Sequence, residues 1–131
     1  MRVIKIKYEQ IGAKFFPVIN IRLIAKNRAI TTKAYVDSGA TYSIFNAGLA
    51  RILQVDYKRG KKVYPLGVSG HICAYLCNIK MGIEDVEIPC EVLFSDEIVT
   101  KFNIIGRCGI FEKFRVCFDD VERTLYLYPK M

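Results

Sequence analysis

Apolar and polar positions along the chain mostly recur with a period of two, the signature of half-buried strands. RVIKIKY (2–8) alternates apolar and charged side chains and reads as a strand. FFPVINIRLIA (15–25) is rich in β-branched residues and KNRAITT (26–32) supplies a turn, so the pair reads as a hairpin. KAYVDSG (33–39) reads as a further strand that stops at Gly39. In FNAGLARIL (45–53), Asn46 stands as an N-cap before Leu49, Ile52 and Leu53, which predicts one short helix. KKVYPLGVSGHICAYLCNIKMG (61–82) holds two strand-like arms around Pro65, Gly67 and Gly70, a glycine-rich hairpin tip. VEIPCEVLF (86–94) is another strand. The period changes in IIGRCGIFEKF (104–114), where Ile110, Phe111 and Phe114 fall at helical spacing. RVCFDDVERTLYLYP (115–129) closes the chain as a hairpin with its turn at Asp119–Glu122. No repeat, linker or low-complexity segment interrupts the pattern. The expectation is one all-β domain over residues 1–131 with one or two short helices.

Composition narrows the picture. Of the 131 residues, 52% are hydrophobic, including 8 Phe and 8 Tyr, enough for a real core. The apolar runs are short; IVTKFNII (98–105) is broken by Thr, Lys and Asn, and nothing approaches the roughly 20 apolar residues of a membrane span. The alternating N-terminus is no signal-peptide core. A soluble, cytoplasmic, free-standing domain without membrane partners is expected, and no fused polyprotein.

Five cysteines at irregular spacing fit reduced thiols better than a disulfide framework. Zinc on Cys73 and Cys77 is not expected. In a strand, residues four apart stand about 13 Å from each other, too far for two bonds of about 2.3 Å to one ion. The net charge of +7 is densest in YKRGKK (57–62), one short loop with no nucleic-acid motif beside it. A solvated loop accounts for it, so a nucleic-acid partner is not expected, and no metal or cofactor is expected.

One residue breaks the apolar pattern in a way that asks for chemistry: Asp37, at the end of AYV and before Ser38-Gly39. By itself such a tripeptide is usually an Asx-type turn. Its context goes further. Ala40 follows, an apolar strand resumes at Ile44-Phe45, and the later NIIGRCGIFEKFRVCFD (103–119) sets two bulky apolar residues before a glycine.

Together, VDSGATYSIF (36–45) and that later segment resemble the retropepsin-like aspartic peptidases, single-domain relatives of retroviral proteases, over nearly the whole chain. The resemblance implies a closed retropepsin-like β-barrel or sandwich with a flap hairpin. It implies a homodimer in which each chain supplies one catalytic aspartate, here Asp37. Ser38, Gly39 and Ala40 would form the active-site loop, with the Ser38 hydroxyl hydrogen-bonded across the two-fold axis. Gly67, Val68, Ser69 and Gly70 would be the flap tip over an extended peptide substrate. Ile104, Ile105, Gly106 and Arg107 would pack beneath the loop. Terminal strands of family members commonly interleave in the dimer, a part open to RVIKIKY and TLYLYP here.

The sequence also departs from the pattern. Retroviral members often carry an acid after the loop alanine that pairs with the arginine after the late glycine. Here Thr41 and Tyr42 occupy those positions, so Arg107 has either another acid or another role. The expected function is aspartic endopeptidase, a hydrolase whose paired Asp37 carboxylates share a proton and activate water. The alternative is a non-catalytic peptide- or protein-binding module on the same fold. His71, beside the flap, reads as a surface residue.

Overall fold

In the computed structural model, which describes residues 2–67, 70–98 and 102–130, the predicted alternation becomes strands over most of the chain. They are β1 (Ile4–Lys7), β2 (Glu9–Ile11), β3 (Lys14–Phe16), β4 (Val18–Ala25), β5 (Arg28–Val36) and β6 (Ile44–Asn46). The helix α1 (Ala47–Ile52) and a 3-10 turn (Tyr57–Arg59) follow. The remaining strands are β7 (Lys61–Val63), β8 (Leu66–Gly67), β9 (Gly70–His71), β10 (Ala74–Ile83), β11 (Val86–Ser95), β12 (Asn103–Ile105), β13 (Phe114–Asp119) and β14 (Thr124–Pro129).

Six strands close a barrel in the order β11-β6-β12-β5-β4-β10, and the β10–β11 hairpin completes the ring. Most joints are antiparallel, but β12 pairs parallel to β5 (Ile104↔Tyr35) and β6 parallel to β11 (Phe45↔Phe94). Closure leaves no free edge within the ring. Alternation decides what fills it: in β4, Ile19, Ile21 and Leu23 point inward and are fully buried, while Asn20 is exposed. Phe45 and Phe94 meet beside them with ring centroids 6.3 Å apart. Burying such a side chain stabilises the fold by about 1.5–3 kcal/mol. Asn46 caps α1 as expected, its Oδ1 accepting from the Gly48 N–H at 2.8 Å.

Four local readings change. Residues 28–32 are not a loop: only Lys26 and Asn27 turn, Lys26 takes φ +56°, and β5 runs on into Tyr35-Val36 as one strand. A short β2–β3 hairpin about Gly12 (φ +64°) was not anticipated. The C-terminal hairpin closes on the Asp119↔Thr124 pair, so its turn is Asp120–Arg123, one residue later than read. The helix expected from Ile110, Phe111 and Phe114 is a single irregular turn (Arg107–Phe111), because Cys108 is extended and Gly109 takes φ +99°.

The terminal strands also differ from expectation. β1 and β14 pair with each other inside one chain (Ile4↔Leu127, Ile6↔Leu125), and β13 completes a three-stranded sheet β1-β14-β13. Its inward face, with Ile4, Leu125, Leu127 and Phe114, is buried against the core. No helix among the described residues is long and apolar enough to cross a membrane.

Candidate active site

Asp37 follows the last residue of β5, where the strand gives way to a tight loop. Its N–H donates to the Ile105 carbonyl at 2.9 Å, extending the parallel β5–β12 ladder by one bond. Its carboxylate folds over the loop: Oδ1 accepts from the Gly39 N–H at 2.9 Å, and the Asp37 carbonyl accepts from Ala40 N–H at 3.2 Å. Only Oδ1 is engaged among the described residues. A Cβ on Gly39 would stand 3.2 Å from Oδ1, so a larger residue would crowd the carboxylate.

The segment after β12 is laced to this loop. Arg107 N–H donates to the Ala40 carbonyl at 2.8 Å and Cys108 N–H to Thr41 at 2.9 Å. Between them, Gly106 N–H donates to the Ser43 hydroxyl oxygen at 3.0 Å. Ser43 is fully buried, as is Ile105. A Cβ on Gly106 would collide with the Tyr42 carbonyl and lie 2.8 Å from the Ala40 oxygen, so two backbones meet where only glycine fits. The backbones of Ile105 and Arg107 are thus tied to the loop at Asp37 and Ala40, while Ile104 pairs with Tyr35 and Ile44 in the barrel. The exposed side chain of Arg107 makes no ion pair or hydrogen bond among the described residues. Among the described residues no acid takes the place of the missing one.

Two hollows flank the loop. One, of about 610 Å³, is lined by Asp37, Ser38, Tyr8, Phe15, Phe16, Tyr35 and Phe118 together with Lys14, Asp120 and Arg123. Asp120, the other carboxylate there, accepts from the Tyr8 hydroxyl at 2.8 Å. The Arg123 guanidinium lies 3.8 Å over the Phe15 ring. The other hollow, of about 500 Å³, runs from Gly39–Tyr42 and Ile44 across to Val63–Leu66, with Lys61 as its sole charged side chain among the described residues.

The far wall of that second hollow belongs to a hairpin. β7 pairs with β10 (Val63↔Ala74), β8 with β9 (Leu66↔His71, Gly67↔Gly70), and Ile72 N–H donates to Pro65 at 3.0 Å. Gly70 takes φ +107°, a conformation a side chain would resist. Val68 and Ser69, the predicted tip, lie outside the described residues. His71 is exposed, its Nδ1 3.0 Å from the Tyr64 carbonyl.

Three of the cysteines, Cys77, Cys90 and Cys108, are poorly placed for nucleophilic work. Burial pushes the Cys90 thiol up to about 12, and burial likewise raises Cys108 and Cys77. No cluster of three metal-ligating side chains occurs among the described residues.

Sequence reasoning missed Ser43 and the aromatic wall. Ser43 meets Gly106 from 63 positions away, and nothing local marks it. Phe118 was open to reading, since alternation along RVCFD puts it on the same face as Val116.

No protein-family profile matches the chain, and no curated protein sequence matches it. Solved structures do. A crystal structure of a retropepsin-like aspartic protease from Rickettsia conorii superposes with a TM-score of 0.70 at 20% identity, covering 97% of this chain and 92% of that one. EIAV protease complexed with the inhibitor HBY-793 superposes with a TM-score of 0.51 at 17% identity, covering 76% and 88%. The barrel, the loop at the end of β5 and the glycine beneath it thus define a retropepsin-like fold. The chain has the fold of retropepsin-like aspartic proteases from end to end.

Proposed function

We propose that the protein is an aspartic endopeptidase that acts as a homodimer, each copy supplying Asp37. The observation that carries this reading is the Asp37 carboxylate. One oxygen is held by the Gly39 N–H, and Asp37 lines a groove together with aromatic side chains. A single such carboxylate is half of an acid–base pair. In the family that the sequence resembles, the other half is the same residue of a second copy across a two-fold axis; Asp120, the other carboxylate of this groove, accepts from Tyr8.

Two facing carboxylates cannot both ionise cheaply, so the pair holds one proton and titrates as a unit. The ionised member takes a proton from a water held between them as that water attacks the peptide carbonyl. The protonated member donates to the carbonyl oxygen. Ser38 hydroxyls, one from each copy, would fix the two loops across the axis. The hairpin of β7–β10 would close over an extended substrate and exclude water. The groove walls of Phe16, Tyr35 and Phe118 suit bulky apolar side chains.

The experiment is cleavage of a denatured-protein or peptide library between about pH 4 and 7. Wild type and Asp37→Asn are compared, each with its solution mass. Cleavage by a dimer, falling at least about a hundredfold in Asp37→Asn, is the expected result. Equal activity in the variant would sink the proposal.

The intrachain pairing of β1 with β14 favours a second reading, a peptide-binding module that is complete as one chain. Binding of extended peptides by a monomer, without cleavage and insensitive to Asp37→Asn, would establish that reading instead.

A further inference from the structure

The outward face of the sheet β1-β14-β13 takes no part in the Asp37 site. Register and alternation assemble it in rows. Lys5 lies across from Tyr126 and Cys117, Tyr128 lies across from Arg115, and Lys130 follows just beyond. Lys5, Lys7, Arg115, Cys117, Tyr128 and Lys130 are all exposed. The Tyr126 and Tyr128 rings are stacked, with centroids 6.1 Å apart and planes 21° from parallel. A hollow of about 650 Å³ opens between Arg115, Cys117, Tyr128 and Lys130, and no carboxylate lines it among the described residues. The acid at the turn end of this face is Asp119, whose Oδ1 accepts from the Glu122 N–H at 3.0 Å.

We propose that this sheet face is a binding platform for single-stranded nucleic acid. Paired aromatic rings on a sheet offer stacking surfaces to unpaired bases, and flanking cations meet the phosphates between them. Charge complementarity selects the occupant. A second copy laid face to face would set Lys5, Lys7 and Arg115 against their own like charges, with Asp119, in the Lys7 row, as the acid this face has to offer. A duplex would hide the base faces that the tyrosines can stack upon. Phe118, on the opposite face of the sheet, lines the Asp37 groove, so peptide binding and this platform do not compete for one surface. The net charge of +7 assists encounter with a polyanion.

The test is fluorescence anisotropy of labelled oligothymidylate and oligouridylate of about fifteen nucleotides. With four cations on phosphates, log affinity should fall against log salt with a slope of about −3. Tyr126→Ala with Tyr128→Ala should weaken binding at least about tenfold, the loss of one to two stacked bases. Lys5→Glu with Arg115→Glu should weaken it and flatten the slope. Lys58→Ala with Lys62→Ala, exposed on the 3-10 turn and on β7, should change little. Near-ultraviolet circular dichroism reports whether each variant is folded. Should a tyrosine variant unfold, wild-type protein still decides: bound oligonucleotide should protect Cys117 from maleimide. No binding at low salt, loss only in the loop variant, or an unprotected Cys117 overturns the proposal. So does binding of phosphatidylserine vesicles through the same residues without oligonucleotide binding.

Discussion

Asp37 is held by its neighbours' backbones more than by their side chains, and Gly106 shows how little slack that leaves. The Gly106 N–H reaches Ser43 while its Cα lies against the Tyr42 and Ala40 carbonyls. Gly106→Ala should therefore destabilise the fold by about 3 kcal/mol, since the clash is with main chain that cannot swing aside. A urea denaturation curve measures this; an unchanged midpoint would mean that the loop and the β12 segment can separate at little cost. Asp37 stood out in the sequence because it breaks an apolar run, and Gly106 because its segment resembles the retropepsin-like pattern. Ser43 did not. Its neighbours Tyr42 and Ile44 look like ordinary strand, and the partner that gives it a role is far away in sequence.

Elements were legible where period and turn chemistry agree. Asn46 at the head of α1 and the alternation in β4 are local facts, and the structure keeps them. The β2–β3 hairpin was hidden because YEQIGAKFF offers only three residues per arm, too few for a period to stand out. The last expected helix failed at Gly109. Helical spacing of Ile110, Phe111 and Phe114 describes a face, but the backbone at Gly109 leaves that path at φ +99°. An added Cβ would press Cys90 Cβ at 3.2 Å and Met81 Cε at 3.0 Å. Gly109→Ala should cost about 1–3 kcal/mol from positive φ and overpacking together. A thermal melt checks it; a raised Tm would mean that the turn can become helix.

The whole molecule should respond to alkali through Tyr8, which shares the groove with Asp37, and through Cys90. Tyr8 is raised above a tyrosine's usual range, first by burial and then by its hydrogen bond to Asp120. Burial raises Cys90 from 9.0 to about 12. In both, the folded state keeps a proton that the unfolded chain releases. Their contribution is therefore complete below the unfolded pKa and is lost as pH rises through the folded one. Stability should decline from about pH 9 towards 12, and Cys90→Ala should flatten the fall; denaturant midpoints across that range would show it, and a level profile would contradict it. None of this scale was legible from spacing. The basic face was missed for the same reason: Lys5 and Arg115 share a surface only because β14 lies between their strands.

Because β1 and β14 pair within one chain, the sheet they form does not depend on the Asp37 carboxylate that the proposed chemistry needs. A copy lacking its carboxylate would fold normally and still be recruited. With equal amounts of normal and Asp37→Asn chains pairing at random, only about a quarter of the pairs would hold both acids. A defective allele would then poison its intact counterpart, and an excess of it would silence the enzyme without lowering the amount of intact chain.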